Sequence, residues 1–330
     1  MKTSTFFDTA LILSMLLSGC EPELIMNEPG NLVPKTVDID SRLPSISVNG
    51  IQLHSEAFGN PNDAMIVVLH GGPGFDYRYL LNCKEFASRG FFVVFYDQRG
   101  AGLSERVPYS SFQMDEMYDD LRAVIAHYRN SATQKVFLLG HSWGAMLATA
   151  YINRYPTAVA GAILAEPGGL KWQDVKDYIK RTRQLDLLGE GLNDALYMDQ
   201  FLTGSENDHV TIDYKFGLLS TTTESSDSPT GNGRIHRWRS GAATFYAYLN
   251  LGDKIYPDWT TNLDQYPTRV LFIYSEHNTV YQLEHAQKVS APYPQVQLFE
   301  ALGAGHDMLT SATGWKNTFP AMVDYLNTLK

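Results

Sequence analysis

Gly140-His141-Ser142-Trp143-Gly144 stands between two runs of different period. Before it, Lys135-Val136-Phe137-Leu138-Leu139 is continuously apolar, as in a strand buried on both faces. After it, Ala145-Met146-Leu147-Ala148-Thr149-Ala150-Tyr151 reads as a helix. G-x-S-x-G at a strand-to-helix junction is the setting of a nucleophile elbow, a turn sharp enough to lift one hydroxyl clear of the sheet edge. The flanking glycines leave room for close backbone packing. The helix that follows aims its free N–H groups and the positive end of its dipole at developing negative charge.

The same alternation extends along the chain. Ser45-Ile46-Ser47-Val48 and Ile51-Gln52-Leu53-His54 flank Asn49-Gly50, a hairpin signal. Residues 64–69, 91–96, 159–165, 270–274 and 296–299 are further apolar runs of strand length. A helix is expected within residues 79–88, and Met117, Leu121, Val124, Ile125 and Tyr128 recur at helical spacing. Strands alternating with helices predict an α/β fold, a mostly parallel sheet covered on both faces. The rhythm breaks between residues 168 and 264. There residues 171–188 and 236–250 read as helical, and 205–208 and 221–233 as polar loops. We expect an inserted helical lid over residues 168–264, between core segments 45–167 and 265–330, lying over the crevice at the strand C-termini.

The 330 residues suffice for one large domain with an insertion. Hydrophobic residues make up 44% and no basic cluster offsets a net charge of −10, so nucleic acid is not an expected partner. Residues 1–20 read as a leader rather than as part of the fold: Lys2, then an apolar stretch from Ala10 too short to span a bilayer comfortably. It ends in Leu17-Ser18-Gly19-Cys20, which resembles a bacterial lipobox. That resemblance implies a lipid on Cys20, membrane contact through it, and a place in the bacterial cell envelope. Residues 21–44, with Pro22, Pro29, Pro34 and Pro44, then read as an extended tether. Cys83 is the only other cysteine and reads as a buried apolar residue.

A serine is a poor nucleophile until a base takes its proton. Gly303-Ala304-Gly305-His306 follows the last core strand, so His306 is the candidate base. An oxyanion needs backbone donors, and His70-Gly71-Gly72-Pro73-Gly74 follows a buried strand. The N–H groups of Gly72 and Trp143 are the expected pair. No phosphate-loop Lys-Ser/Thr follows these glycines, which argues against phosphate binding.

Together with Asp97-Gln98-Arg99-Gly100-Ala101-Gly102-Leu103-Ser104, these motifs resemble the proline iminopeptidase branch of the α/β-hydrolase superfamily, peptidase family S33. The resemblance implies the α/β-hydrolase fold and covers roughly residues 45–167 and from 269 onward. Asp97 and Arg99 are read as braces for the loops beside the site.

The acid member departs from that pattern. The family places an Asp after the strand at residues 270–274, and counting back from His306 reaches Asn278 in Ser275-Glu276-His277-Asn278. Asparagine orients an imidazole but does not stabilise imidazolium as a carboxylate does. Glu276 is one substitute. Glu166 is the preferred one, because it ends the strand after the elbow, where some α/β-hydrolases, certain dehalogenases and lipases among them, carry their acid. That edge also lines the ligand crevice. Asn278 is then a hydrogen-bonding neighbour.

These readings lead to a serine hydrolase with catalytic Ser142, His306 and Glu166, using no metal or organic cofactor. The resemblance implies a proline iminopeptidase-like aminopeptidase acting on a short peptide or amide, with a carboxylester or lactone as the alternative small-molecule substrate. A catalytically silent ligand-binding lipoprotein is the reading from another class. The lid carboxylates Asp194, Asp199, Glu206, Asp208, Asp213, Glu224 and Asp227 are expected to form a solvated acidic surface. Trp238, Phe245, Tyr246 and Tyr248 are expected in the lid core.

Overall fold

A computed structural model describes residues 32–182, 208–222 and 224–330. The expected leader with Cys20, the tether up to residue 31, and Asp194, Asp199 and Glu206 lie outside the described residues. Eight strands form one sheet in the order β1-β2-β4-β3-β5-β6-β7-β8. They are β1 Ser45–Val48, β2 Ile51–Phe58, β3 Ala64–Leu69, β4 Phe91–Tyr96, β5 Val136–His141, β6 Gly161–Ala165, β7 Val270–Ser275 and β8 Val296–Ala301. β1, β2 and β4 pair antiparallel, and every pairing from β4 through β8 is parallel. Asn49 and Gly50, both at positive φ (48° and 78°), turn β1 into β2 as the Asn-Gly signal predicts.

The helices are α1 Met114–Tyr128, α2 Trp143–Arg154, α3 Trp172–Thr182, α4 Asp208–Thr222, α5 Ala242–Ile255, α6 Gln282–Ser290 and α7 Ala312–Leu329. The helix expected within residues 79–88 is a 3-10 helix, Tyr77–Arg89. Asp76 caps it by accepting from the Arg78 N–H (3.0 Å), and Gly90 closes it at φ 76°. Alternate strand residues serve opposite layers. Met65, Val67 and Leu69 pack with α1, α2 and α6, while Ile66 and Val68 pack with the 3-10 helix and α7.

From β3 the chain crosses to β4 on one side and then returns to β5 on the other. Such a reversal opens a crevice at the C-terminal strand ends. The glycine-rich loop after β3 and the Ser142 turn after β5 meet at that crevice.

Three local expectations are corrected. The helix expected from residue 236 begins at Ala242 instead, because the Trp238 and Arg239 N–H groups are taken by Asp76 Oδ2 (2.6 and 3.0 Å). Residues 208–222 are helical where no helix was expected. The tether is packed where it is described: Val37 is buried and donates to the Leu103 carbonyl (2.9 Å), and Arg239 Nη1 donates to the Pro34 carbonyl (2.9 Å).

Candidate active site

The turn at Ser142 is a strained one. Its φ of 55° and ψ of −119° lie where a side chain rarely sits, a conformation that surrounding packing must impose. The glycines allow that packing. A Cβ on Gly144 would stand 2.0 Å from the Leu69 carbonyl oxygen, and one on Gly140 would stand 2.4 Å from that of Gly144. Ser142 N–H donates to the Ala165 carbonyl (2.8 Å), which ties the turn to the end of β6. Trp143 opens α2, so its N–H has no intrahelical acceptor. Its buried indole donates to Gln98 Oε1 (3.2 Å) and packs on Tyr248.

A hydrogen-bonded chain ties the glycine loop to the elbow. Gly71 N–H donates to Tyr79 Oη (2.6 Å), Tyr79 Oη lies 2.9 Å from His141 Nδ1, and His141 Nε2 lies 2.7 Å from the His306 carbonyl oxygen. A carbonyl only accepts, so Nε2 of His141 carries the hydrogen and Tyr79 donates to Nδ1. Burial and the neighbouring His306 push the His141 pKa well below its ordinary value, consistent with a neutral ring. His70 is fixed similarly. It accepts from the Gln98 N–H at Nε2 (2.9 Å) and donates from Nδ1 to the Gly71 carbonyl (2.8 Å), and burial lowers its pKa. Gly72 has φ 125°, and a Cβ there would meet Gly74 N at 2.6 Å. Among the described residues no hydrogen bond engages the N–H of Gly72 or of Trp143. Trp143 follows Ser142, and the glycine loop approaches it at Gly71, where a Cβ would be 3.1 Å from that of Ser142.

Glu166 and His306 meet directly, with Oε2 2.6 Å from Nδ1. Glu166 is 0% exposed and takes a positive φ of 43°, its N–H held by the Ile273 carbonyl (3.0 Å). Oε1 accepts from Ser275 N–H (2.8 Å) and Ser275 Oγ (2.6 Å), and Oε2 also accepts from Asn278 Nδ2 (2.8 Å). Four donors thus satisfy one buried carboxylate. His306 N–H donates to the Thr230 carbonyl of the inserted segment (2.9 Å), and its ring lies 4.6 Å from that of His141. Nε2 of His306 and Oγ of Ser142 carry no hydrogen bond to a described residue, and both residues keep partial exposure.

The other predicted residues divide. Glu276 is turned away: its side chain is 49% exposed and accepts from the Gly303 N–H (2.7 Å). Asp97 and Arg99 are braces. Asp97 accepts from Tyr77 N–H and Leu103 N–H and pairs with His54 Nδ1 (2.8 Å), while Arg99 grips Asp120 with two bonds of 2.8 Å. Cys83 is buried, and burial raises its thiol pKa. Trp238 stands edge-on to Tyr77, and Phe245 packs on Phe216.

The solvated acidic surface is corrected at two positions. Asp213 is 1% exposed and pairs with Arg106 (2.9 Å) and Arg239 (2.8 Å), and Glu224 pairs with Arg237 (2.6 Å). Three partners were missed: Ser275, Tyr178 and Asp76. Ser275 carried a signal, since it ends the strand beside Glu166's own. Asp76 is buried against Asp97, and burial and that second negative charge push its pKa up to about 7.

A family model described as serine aminopeptidase, S33, matches residues 60–312. A proline iminopeptidase of Thermoplasma volcanium is 36% identical over 126 residues, 38% of this chain and 41% of that protein. The chain spans less than half the length of this relative and of the Heyndrickxia coagulans proline iminopeptidase, of which it matches 48%. Among solved structures, an esterase from Exiguobacterium antarcticum superposes with a TM-score of 0.59 at 20% identity, covering 86% of this chain and 99% of that one. The proline iminopeptidase of Mycobacterium smegmatis superposes with a TM-score of 0.54 at 16% identity, covering 86% and 97%. At such identities the likeness is one of fold.

Proposed function

The chain belongs to the serine aminopeptidase family S33, and from that premise we propose that it is a serine hydrolase working through an acyl-enzyme, with Ser142, His306 and Glu166 as its triad. The observation that carries the reading is the 2.6 Å contact of Glu166 Oε2 with His306 Nδ1. It fixes the tautomer, so Nε2 of His306 is the basic nitrogen. As Ser142 Oγ attacks a carbonyl carbon, its proton passes to Nε2. The carbonyl π pair moves onto oxygen, and that oxyanion is met by the N–H groups of Gly72 and Trp143. Collapse of the tetrahedral species breaks the bond to the leaving amine or alkoxide, which takes the proton from Nε2. Water then enters by the same route in reverse and releases the acid.

The substrate of this reading is a short peptide or amide with a free N-terminus, Pro preferred, supported by the proline iminopeptidase relatives. One observation favours the ester or lactone alternative. Asp213 and Glu224, two of the lid carboxylates able to hold a substrate amine, are committed to arginines. A panel assay on the purified chain separates them. A proline arylamide turned over faster than its N-blocked analogue and faster than short p-nitrophenyl esters supports the aminopeptidase. The reverse order supports the esterase, and no Ser142-dependent turnover on any substrate overturns the hydrolase.

The reading extends to location: a lipid on Cys20 holds the enzyme at the bacterial cell envelope. Metabolic labelling with an alkyne fatty acid should mark the wild-type chain and not Cys20→Ser. Equal labelling, or none in either, removes the anchor.

A further inference from the structure

We propose that Asn278 and Tyr178 are positioning residues that hold the Glu166 carboxylate aimed at His306, with helix α3 of the inserted segment holding the outer end of the chain. The proposal rests on the reading of Glu166 as the triad acid.

Asn278 is 0% exposed, and its two amide hydrogens are both used. Nδ2 donates to Glu166 Oε2 at 2.8 Å and to Tyr178 Oη at 3.1 Å. Its Oδ1 is buried with no partner. Turning the amide over would bring that oxygen against the Glu166 carboxylate, acceptor against acceptor. The charge on Glu166 therefore fixes the amide, and the fold accepts an unpaired carbonyl to keep a donor facing the acid.

This explains why an amide stands where the S33 resemblance implies an Asp. With Glu166 already buried beside it, an Asp at 278 would set a second carboxylate within hydrogen-bonding distance of the first. Two carboxylates so placed do not both ionise; they share a proton. A neutral donor at 278 is the complement of an acid at 166, so the two positions form one arrangement.

Tyr178 extends the chain to α3. Its ring stacks on His285 (5.6 Å, 17°) and stands edge-on to Tyr281 (5.4 Å, 85°). Tyr281 Oη donates to the carbonyl of Pro167, next to Glu166 (2.7 Å), and His285 Nε2 lies 3.1 Å from the Gly168 carbonyl. The first helix of the inserted segment is thus seated on the residues that flank the acid. The titratable and charged groups facing this cluster are His306 and His141 from the elbow side, Asp174, Tyr178 and Arg181 from α3, Tyr281 from the β7–α6 connection, and His285 and Lys288 from α6. Besides Glu166, the carboxylate among these is Asp174, which is paired with Lys288 (2.6 Å), so one introduced at 278 stands directly against Glu166 alone.

The test is the pH profile of kcat/KM for Asn278→Asp, Asn278→Ala, Tyr178→Phe and Glu166→Gln, on whichever substrate the wild-type chain turns over. In Asn278→Asp the added acid raises the proton affinity of the Glu166–His306 unit. The acid limb should therefore move to higher pH by about one unit or more. Asn278→Ala should lose roughly 10- to 100-fold in kcat/KM, mostly in kcat, and Tyr178→Phe roughly three- to tenfold. An acid limb unmoved in Asn278→Asp overturns the proposal. If that variant does not fold, wild-type kcat in both Asn278→Ala and Tyr178→Phe overturns it instead. Full activity in Glu166→Gln is a different failure, that of the triad reading beneath it.

Discussion

At Glu166 a residue with a side chain takes φ 43°, a buried carboxylate gathers four donors, and one of them is the His306 imidazole. Backbone strain and a buried charge each cost stability, and together they aim one oxygen at one nitrogen. Glu166→Gln keeps the size of the group and removes its charge. The amide also presents a donor or a neutral acceptor to Nδ1, which disturbs the tautomer. The expected outcome is a fall in kcat of about 10³- to 10⁴-fold with the fold intact by circular dichroism. Ser142 and His306 were legible because each stands in a short local pattern after a strand. Glu166 was legible from its place at a strand end. Asn278 was legible as its hydrogen-bonding neighbour, but Ser275 and Tyr178 were not: they lie 109 and 12 positions from Glu166 in sequence, and Tyr178 hydrogen-bonds Asn278 rather than the acid itself. Chain folding, not spacing, makes them neighbours.

Helices α4 and α5 show the same lesson one scale up. The hydrophobic face of α4 is weakly defined, and Asp213 within it reads as a surface residue until Arg106 and Arg239 are seen to close on it. Residues 236–241 fall within the expected helix yet are not helical, because the backbone there bonds to Asp76 of the core and Gly241 N–H donates to the Gly74 carbonyl (2.6 Å). The inserted segment is therefore joined to the core at two buried carboxylates, Asp76 holding the Trp238 and Arg239 N–H groups and Asp213 holding Arg106. Asp213→Ala should lower stability by about 3–5 kcal/mol, since it leaves two arginines without their buried partner. Urea denaturation checks this. A loss under about 1 kcal/mol, within the range of exposed ion pairs, would show that the join carries little.

For the whole molecule, the buried carboxylate at Asp76 makes stability depend on pH. Its folded pKa, about 7, lies above the roughly 3.9 of an unfolded Asp. The folded chain thus holds a proton that the unfolded chain has released. Asp76's contribution is complete below about pH 4 and is lost as pH rises through about 7. Wild-type urea midpoints should therefore carry a downward component over that window that Asp76→Asn lacks. Identical slopes in both would contradict it. The strand–helix rhythm predicted a mostly parallel sheet with a crevice at its strand C-termini; the strand order that brings the glycine loop after β3 against the Ser142 turn became visible only in the fold.

The account's central claim is that Ser142 is a nucleophile made reactive by His306 and Glu166. The most direct measurement is labelling of the purified chain with a fluorophosphonate, followed by intact mass and peptide mapping. The expected result is one adduct, on Ser142, formed quickly in wild type and orders of magnitude more slowly in Glu166→Gln. An unlabelled Ser142 in the folded wild-type chain, or equal rates in the two proteins, would contradict it.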